Sequence, residues 1–327
     1  VQIAVAGSIA TDHLMTFPGR FAEQLIADQL DRVSLSFLAD HLEVRRGGVA
    51  ANIACGLGRL GLRPVLVGAA GADFADYAAR LTADGVDTSA VRISETLHTA
   101  RFVCTTDTDQ NQLATFYAGA MVEARSIDLA ALTRRVGGLD LVLVGADDPE
   151  AMLQHTAAVK AEGIAFAADP SQQLARLTRE QSRCLADGAH VLFTNEYEAA
   201  LLQERTGWRT ADVLERVGTW VTTLGAGGVA LARAGEAPLH VPAVPTGHIA
   251  DPTGAGDAFR AGFLAGTAWQ FPPRRAAQLG CAMATFALES IGTQEYKLLP
   301  SELLERIAGA YGPGPAAELA PRLESAS

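Results

Sequence analysis

The sequence predicts a three-layer α/β fold, with helices on both faces of a mostly parallel central sheet and a small β-sheet lid. Three observations carry this expectation. From Leu129 onward short apolar runs alternate regularly with helical stretches, the rhythm of a parallel sheet. Two segments, about 13–46 and 98–118, depart from that rhythm with residues that alternate like half-buried strands. Lastly, Asp251-Pro252-Thr253-Gly254-Ala255-Gly256-Asp257 runs directly into small and apolar residues at helical spacing. A loop that opens a helix presents unpaired N–H groups and the positive end of the helix dipole, which suits a phosphate.

Composition narrows the classes. The chain has 327 residues, 49% hydrophobic and 19% charged, enough for one large domain over 1–327 with the two lid segments inserted in it. A net charge of −11 with no long basic run argues against a nucleic-acid partner. No run of about 20 apolar residues and no signal-peptide pattern occurs, so no membrane partner and a cytoplasmic location are expected. Cys55, Cys104, Cys184 and Cys281 are too dispersed to suggest a zinc site or a disulfide framework. Lys160 and Lys297 are the only lysines, which leaves little lysine for catalysis.

In chain order, Gln2 to Ala6 reads as a buried strand that delivers Ser8 and Asp12 at its C-terminal end, where ligands bind in parallel sheets. Val33 to Leu38 alternates like a one-sided strand. Gly47-Gly48-Val49-Ala50-Ala51-Asn52 opens a helix through Leu60, with Asn52 one turn in, on the ligand side. Gly56 to Gly61 matches GxGxxG but ends this helix instead of opening one, so it does not mark a dinucleotide site. Further strands are expected near 64–68, 91–93, 140–144, 165–168, 191–193 and 220–224, with an antiparallel pair at 229–232 and 239–241. Arg101–Thr106 and Gln112–Tyr117 flank a polar turn, a hairpin signal. Helices are expected at 73–84, 149–162, 178–187, 196–206, 257–268, 274–289 and 301–311, and the proline-rich tail after Gly312 is expected to be loosely ordered.

The chemistry starts from absences. There is no Gly-Lys dipeptide for a Walker A loop, no GxSxG and no HExxH. What remains is the glycine-rich junction with Asp257, which either caps a helix or faces a hydroxyl that attacks a phosphoryl group held by Gly254 to Gly256.

Two motifs, Gly47 to Asn52 and Asp251 to Asp257, about 200 residues apart, resemble the paired signatures of the ribokinase-like (PfkB) small-molecule kinases. The resemblance covers nearly the whole chain and implies the ribokinase-like form of the fold. It makes Asp257 the catalytic base and Gly254, Ala255 and Gly256 the anion hole. Pro252 departs from the Thr or Ser common there. Asn195-Glu196-Tyr197-Glu198 is similar to the family's Asn-x-x-Glu motif, which implies ATP binding by Asn195 and Mg2+ near Glu198 through water; an acid-rich first helical turn is the plainer alternative. Thr223, Gly225 and Gly228 resemble the family's nucleotide loop, or form an ordinary turn. For the acceptor, the resemblance implies Ser8, Asp12, Ser36, Gly48 and Asn52, with Asp12 taking two sugar hydroxyls; a loop-capping acid is the lesser alternative for Asp12. A monovalent cation, K+, is implied near Asp251 and Thr253, and a homodimer through the lid, whose exposed strand edges pairing would cover.

Within the family, Gly7 to Leu14, Ala168 to Leu174 and Glu289 to Glu295 resemble the adenosine kinases of actinobacteria. That implies ATP and adenosine as substrates and a purine-salvage reaction giving AMP. Phe102 and Phe116 would clamp the two faces of the purine, unless they are core residues of the hairpin. Gln172, Gln173 and Arg176 fall where contacts with the base are implied, although adjacent glutamines also suit a surface. A sugar kinase, a kinase of another purine nucleoside, and a non-catalytic nucleoside sensor on the same fold are the competing readings.

Overall fold

A computed structural model describes residues 1–25, 31–32 and 34–324. The strands, in chain order, are β1 (Ile3–Ala6), β2 (Ala10–Thr16), β3 (His41–Gly47), β4 (Val65–Val67), β5 (Ala69–Ala70), β6 (Arg92–Ile93), β7 (Ala100–Thr106), β8 (Gln112–Tyr117), β9 (Leu141–Val144), β10 (Ala165–Ala168), β11 (Val191–Asn195), β12 (Thr219–Thr223), β13 (Val229–Ala232) and β14 (Leu239–Val241). Eight of them form the main sheet in the order β14-β13-β12-β11-β10-β9-β1-β4. Six are parallel, and β13 and β14 add an antiparallel edge.

Strand side chains alternate between faces, so successive β1 residues feed different cores. Ile3, Val5, Leu143 and Phe193 pack with the helices Val49–Arg59, Ala255–Ala268 and Pro273–Leu288. Ala4, Ala6, Val144 and Leu192 pack with Pro149–Ala161, Arg179–Ala186 and Glu196–Thr206 on the other face. The continuous apolar runs of these strands follow from burial on both sides. Among the described residues no helix is long and apolar enough to cross a membrane.

A second sheet, ordered β3-β2-β7-β8, lies beyond the C-terminal end of β1. β2 pairs antiparallel with β3 and parallel with β7, which forms the expected hairpin with β8. The expected strand at Val33–Leu38 is not what pairs here. Val33 lies outside the described residues, and 34–39 has no regular structure. Leu35 and Leu38 are exposed, so their alternation serves no core, while Phe37 packs on Phe17 and Phe21. The partner of β2 is His41–Gly47 instead, whose mixed polar sequence hides its strand character.

The tail is a second correction. Pro313–Glu324 is a helix, held by Leu319 and Leu323, both buried in the same core as Leu303 and Ile307. Prolines in the first helical turn forfeit only N–H groups that have no partner in the helix. Composition therefore misread Pro313 and Pro315 as breakers. Three short helices among the described residues, Phe21–Gln24, Leu129–Arg135 and Thr210–Leu214, were not anticipated.

Candidate active site

The helix Ala255–Ala268 begins without a side-chain cap. Its N-cap is Gly254, at φ 80°, a left-handed conformation that glycine adopts without strain. Asp257 is therefore not the cap. It sits in the first turn, where its Oδ2 accepts a hydrogen bond of 2.8 Å from Asn52 Nδ2.

That bond is set by a network behind it. Asn52 Oδ1 accepts from Thr293 Oγ1 at 2.9 Å and from Gln294 Nε2 at 2.7 Å, which leaves the amide N–H group to face Asp257. Gln294 is held in turn by the Tyr77 hydroxyl, and Tyr77 donates to the Gly47 carbonyl at 2.9 Å. Burial pushes the Asp257 pKa up to about 7; Arg260 and the Asn52 bond act against the rise.

Asp257 lines two cavities at once. One, of about 540 Å³, is bounded by Gly254, Gly256, Asn195, Glu198, Thr223 and Arg260. It continues along Thr223, Gly225 and Gly256 into a cavity of about 710 Å³ that Gly228, Ala255, Val244 and Ile249 help to line. Asn195 and Glu198 form a reciprocal capping box, with bonds of 2.7 and 2.8 Å. The plainer reading of the pair thus holds locally, and both side chains still line the cavity.

The other cavity, of about 510 Å³, lies between the two sheets. One row of the small sheet supplies much of its wall. Arg45 on β3, Asp12 on β2, Phe102 on β7 and Phe116 on β8 are direct cross-strand neighbours, so all four side chains leave the same face. Phe116 is half exposed, so the pair is not the hairpin's core. The two rings stand side by side on one sheet face. Leaving one sheet face from adjacent strands, they offer an aromatic platform on the cavity wall.

Ser8, Gly48, Asn52, Gln172, Gln173 and Arg176 complete the wall, with Asp251 and Thr253 near the glycine-rich loop. Gly48 has φ 97°, and a Cβ there would lie 2.6 Å from the Ser8 carbonyl oxygen, so only glycine fits. Gln173 is buried with its Oε1 unpartnered, while Gln172 is exposed. Burial raises the Asp12 pKa, Arg45 opposes the rise, and Asp251 adds to it. Ser36 is the one expected acceptor residue that the structure does not bring to this cavity: it is exposed within the irregular stretch 34–39.

Sequence reasoning missed Arg45, Asp169 and Arg260. Arg45 Nη2 lies 2.6 Å from Glu43, and Nη1 lies 3.4 Å from Asp251. Asp169 and Arg260 form a buried pair at 2.6 and 2.7 Å beside Asp257. An arginine within the otherwise apolar stretch Ala258 to Leu264 was the available signal for that pair.

Asp257 thus stands on the wall between the cavity at the glycine-rich helix start and the cavity between the two sheets. The model of the pfkB family carbohydrate kinases matches residues 9–300, and the chain belongs to that family. It is similar to the nucleoside kinase of Methanocaldococcus jannaschii, 29% identical over 80% of this chain and 85% of the relative. The nucleoside kinase of Burkholderia thailandensis, solved in complex with inosine, is 32% identical, with a TM-score of 0.82 over 95% of this chain and 98% of that one. An ATP-dependent ribose-1-phosphate kinase of Halopiger xanaduensis is 31% identical over 67% of this chain and 72% of its own.

Proposed function

We propose that the protein is a purine nucleoside kinase that transfers the γ-phosphoryl group of ATP to the ribose 5′-hydroxyl, with adenosine as acceptor and AMP as product. The observation that carries this is the row Asp12, Phe102, Phe116 in the cavity that Asp257 shares with the phosphate cradle. A carboxylate that accepts two ribose hydroxyls beside an aromatic platform suits a nucleoside better than a bare sugar. Similarity to two nucleoside kinases supports the same acceptor class. Because the Burkholderia relative was solved with inosine, a broader purine range is the second reading.

In the reaction, Asp257 takes the proton of the 5′-hydroxyl as the O5′–P bond forms. The bond from the γ-phosphorus to the β,γ-bridging oxygen breaks, and ADP leaves. The N–H groups at Gly254 to Gly256 face the charge that develops on the phosphoryl oxygens. Glu198 and Asn195 fit a magnesium ion, which takes few carboxylates and keeps its waters; when bound it supplies neutralisation of phosphate charge. The small sheet acts as the lid that excludes water. A cytoplasmic setting, with ATP at hand, is part of this reading. A panel of adenosine, inosine, guanosine, ribose and fructose with magnesium-ATP is the test: kcat/KM is expected to be highest for adenosine, and a preference for ribose or fructose would overturn the assignment.

Potassium fits less well. The Asp251 carboxylate accepts from Thr253 N at 2.9 Å and Gly292 N at 3.1 Å, and Arg45 already supplies positive charge beside it. Burial alone would raise its pKa, yet those N–H groups and Arg45 hold it below the ordinary value. Exchanging potassium for tetramethylammonium in the assay is expected to leave the rate unchanged; a large loss would restore the cation to the site.

The face of the small sheet turned away from the cavity exposes Leu42 and Val44 on β3 and Leu113 and Tyr117 on β8. Exposed apolar side chains on a sheet with open edges favour association with a second copy. Light scattering is expected to give a dimer, twice the chain mass of 34.2 kDa, and Val44→Asp a monomer. A monomeric wild type would exclude this interface.

A further inference from the structure

Arg260 is the only charged residue between Ala258 and Leu264 on the helix that carries Asp257, one turn after it. Its side chain is buried, 7% exposed, and bound to an equally buried partner. Nε lies 2.6 Å from Asp169 Oδ2, and Nη2 donates to Asp169 Oδ1 at 2.7 Å. Asp169 follows β10, two residues before the stretch Ser171–Ala175 that carries Gln172 and Gln173. The pair therefore ties the base-facing wall to the helix of the proposed catalytic base.

The third nitrogen is placed differently. Nη1 makes no hydrogen bond among the described residues and would lie 2.8 Å from a Cβ on Gly256, against the cradle itself. Arg260 also lines the phosphate cavity alongside Asp257 and Glu198. Burying an ion pair is costly and adds little stability by itself, so its value lies in what the fixed charge does to its neighbours.

We propose that Arg260 is a positioning residue that acts through Asp257: clamped by Asp169, its guanidinium supplies the fixed positive charge that keeps the base ionised within a buried site. This rests on Asp257 being the base. A Cβ at position 256 would crowd Nη1, so a larger residue there would displace the guanidinium.

The charges around Asp257 all enter the balance. Arg260 on its own helix favours the carboxylate. Asn52 from helix Val49–Arg59 donates to it. Asp169 after β10 and Glu198 from helix Glu196–Thr206 disfavour it. Tyr296 is buried nearby with its phenol pushed well above the ordinary value, so it stays neutral. Burial opposes the charge on Arg260, but Asp169 and Asp257 more than offset it, and the guanidinium stays protonated.

The two halves of the ion pair should thus move the base in opposite directions, which a purely structural clamp would not do. The experiment is the pH dependence of kcat/KM for adenosine in Arg260→Met, Asp169→Asn and wild type, with Asp257→Asn as control. Removing a nearby opposite charge typically displaces a carboxylate by about one pH unit or more. Arg260→Met is expected to shift the acidic limb upward by that amount, so that the rate at pH 7 falls about fivefold or more and recovers toward pH 8.5, with KM for adenosine little changed. Asp169→Asn is expected to shift the limb downward. A uniform loss in Arg260→Met with the limb unmoved would overturn the proposal. Should Arg260→Met fail to fold, the near-isosteric Asp169→Asn decides: an unmoved limb rejects the proposal. Substantial turnover in Asp257→Asn would instead remove the base assignment on which both rest.

Discussion

Asp257→Asn is expected to lower kcat by about 10²–10⁴-fold, the range of a lost general base, while adenosine still binds. The substitution preserves shape and can keep a polar contact with Asn52, and none of the acceptor-cavity residues on the small sheet is altered. Isothermal titration with adenosine and a coupled assay for ADP separate the two effects. Wild-type kcat/KM is expected to fall as the pH drops below about 7, because only the carboxylate accepts the proton. The sign for stability is opposite. A carboxyl whose folded pKa is raised from 3.8 to about 7 binds a proton more tightly when folded, so it contributes stability at low pH that is lost as the pH rises through 7. Asp257→Asn removes that loss, and the variant should be at least as stable as wild type above neutrality.

Phe102→Ala is expected to weaken adenosine by about 5- to 150-fold, corresponding to a stacking contribution of about 1–3 kcal/mol per base, and to leave ribose unaffected. Phe102 is the inner ring of the platform, between Asp12 and Phe116 in the same row. A nucleoside with its hydroxyls on Asp12 places its base beside that ring. Affinities for adenosine and ribose measured side by side check this; equal losses would mean that the ring supports the sheet and does not touch the base. Phe116, half exposed at the sheet edge, should matter less.

The residues most legible in the sequence were those whose chemistry and backbone demands coincide. Gly48 and Gly254 stand at positive φ where their motifs require it, and Asn52 reaches Asp257 from one turn into its helix. The parallel strands were legible because burial on both faces leaves continuous apolar runs. β3 was not, since a polar edge strand carries no such run, and the alternation at Val33–Leu38 drew attention away from it. Helix Pro313–Glu324 was hidden because proline at a helix start looks like a breaker. The Asp169–Arg260 pair joins residues 91 apart, and no local pattern announces a contact of that kind. The side-by-side placement of Phe102 and Phe116 depends on hairpin register, which the sequence left open.

The protein is expected to transfer the γ-phosphoryl group of ATP onto the 5′-oxygen of a purine nucleoside, with Asp257 taking the hydroxyl proton. The most direct measurement is identification of the product from adenosine and magnesium-ATP by ³¹P NMR and chromatography. Adenosine 5′-monophosphate in one-to-one yield with ADP is the expected result. Adenosine that binds but remains unphosphorylated, or phosphate found on another oxygen, would contradict it.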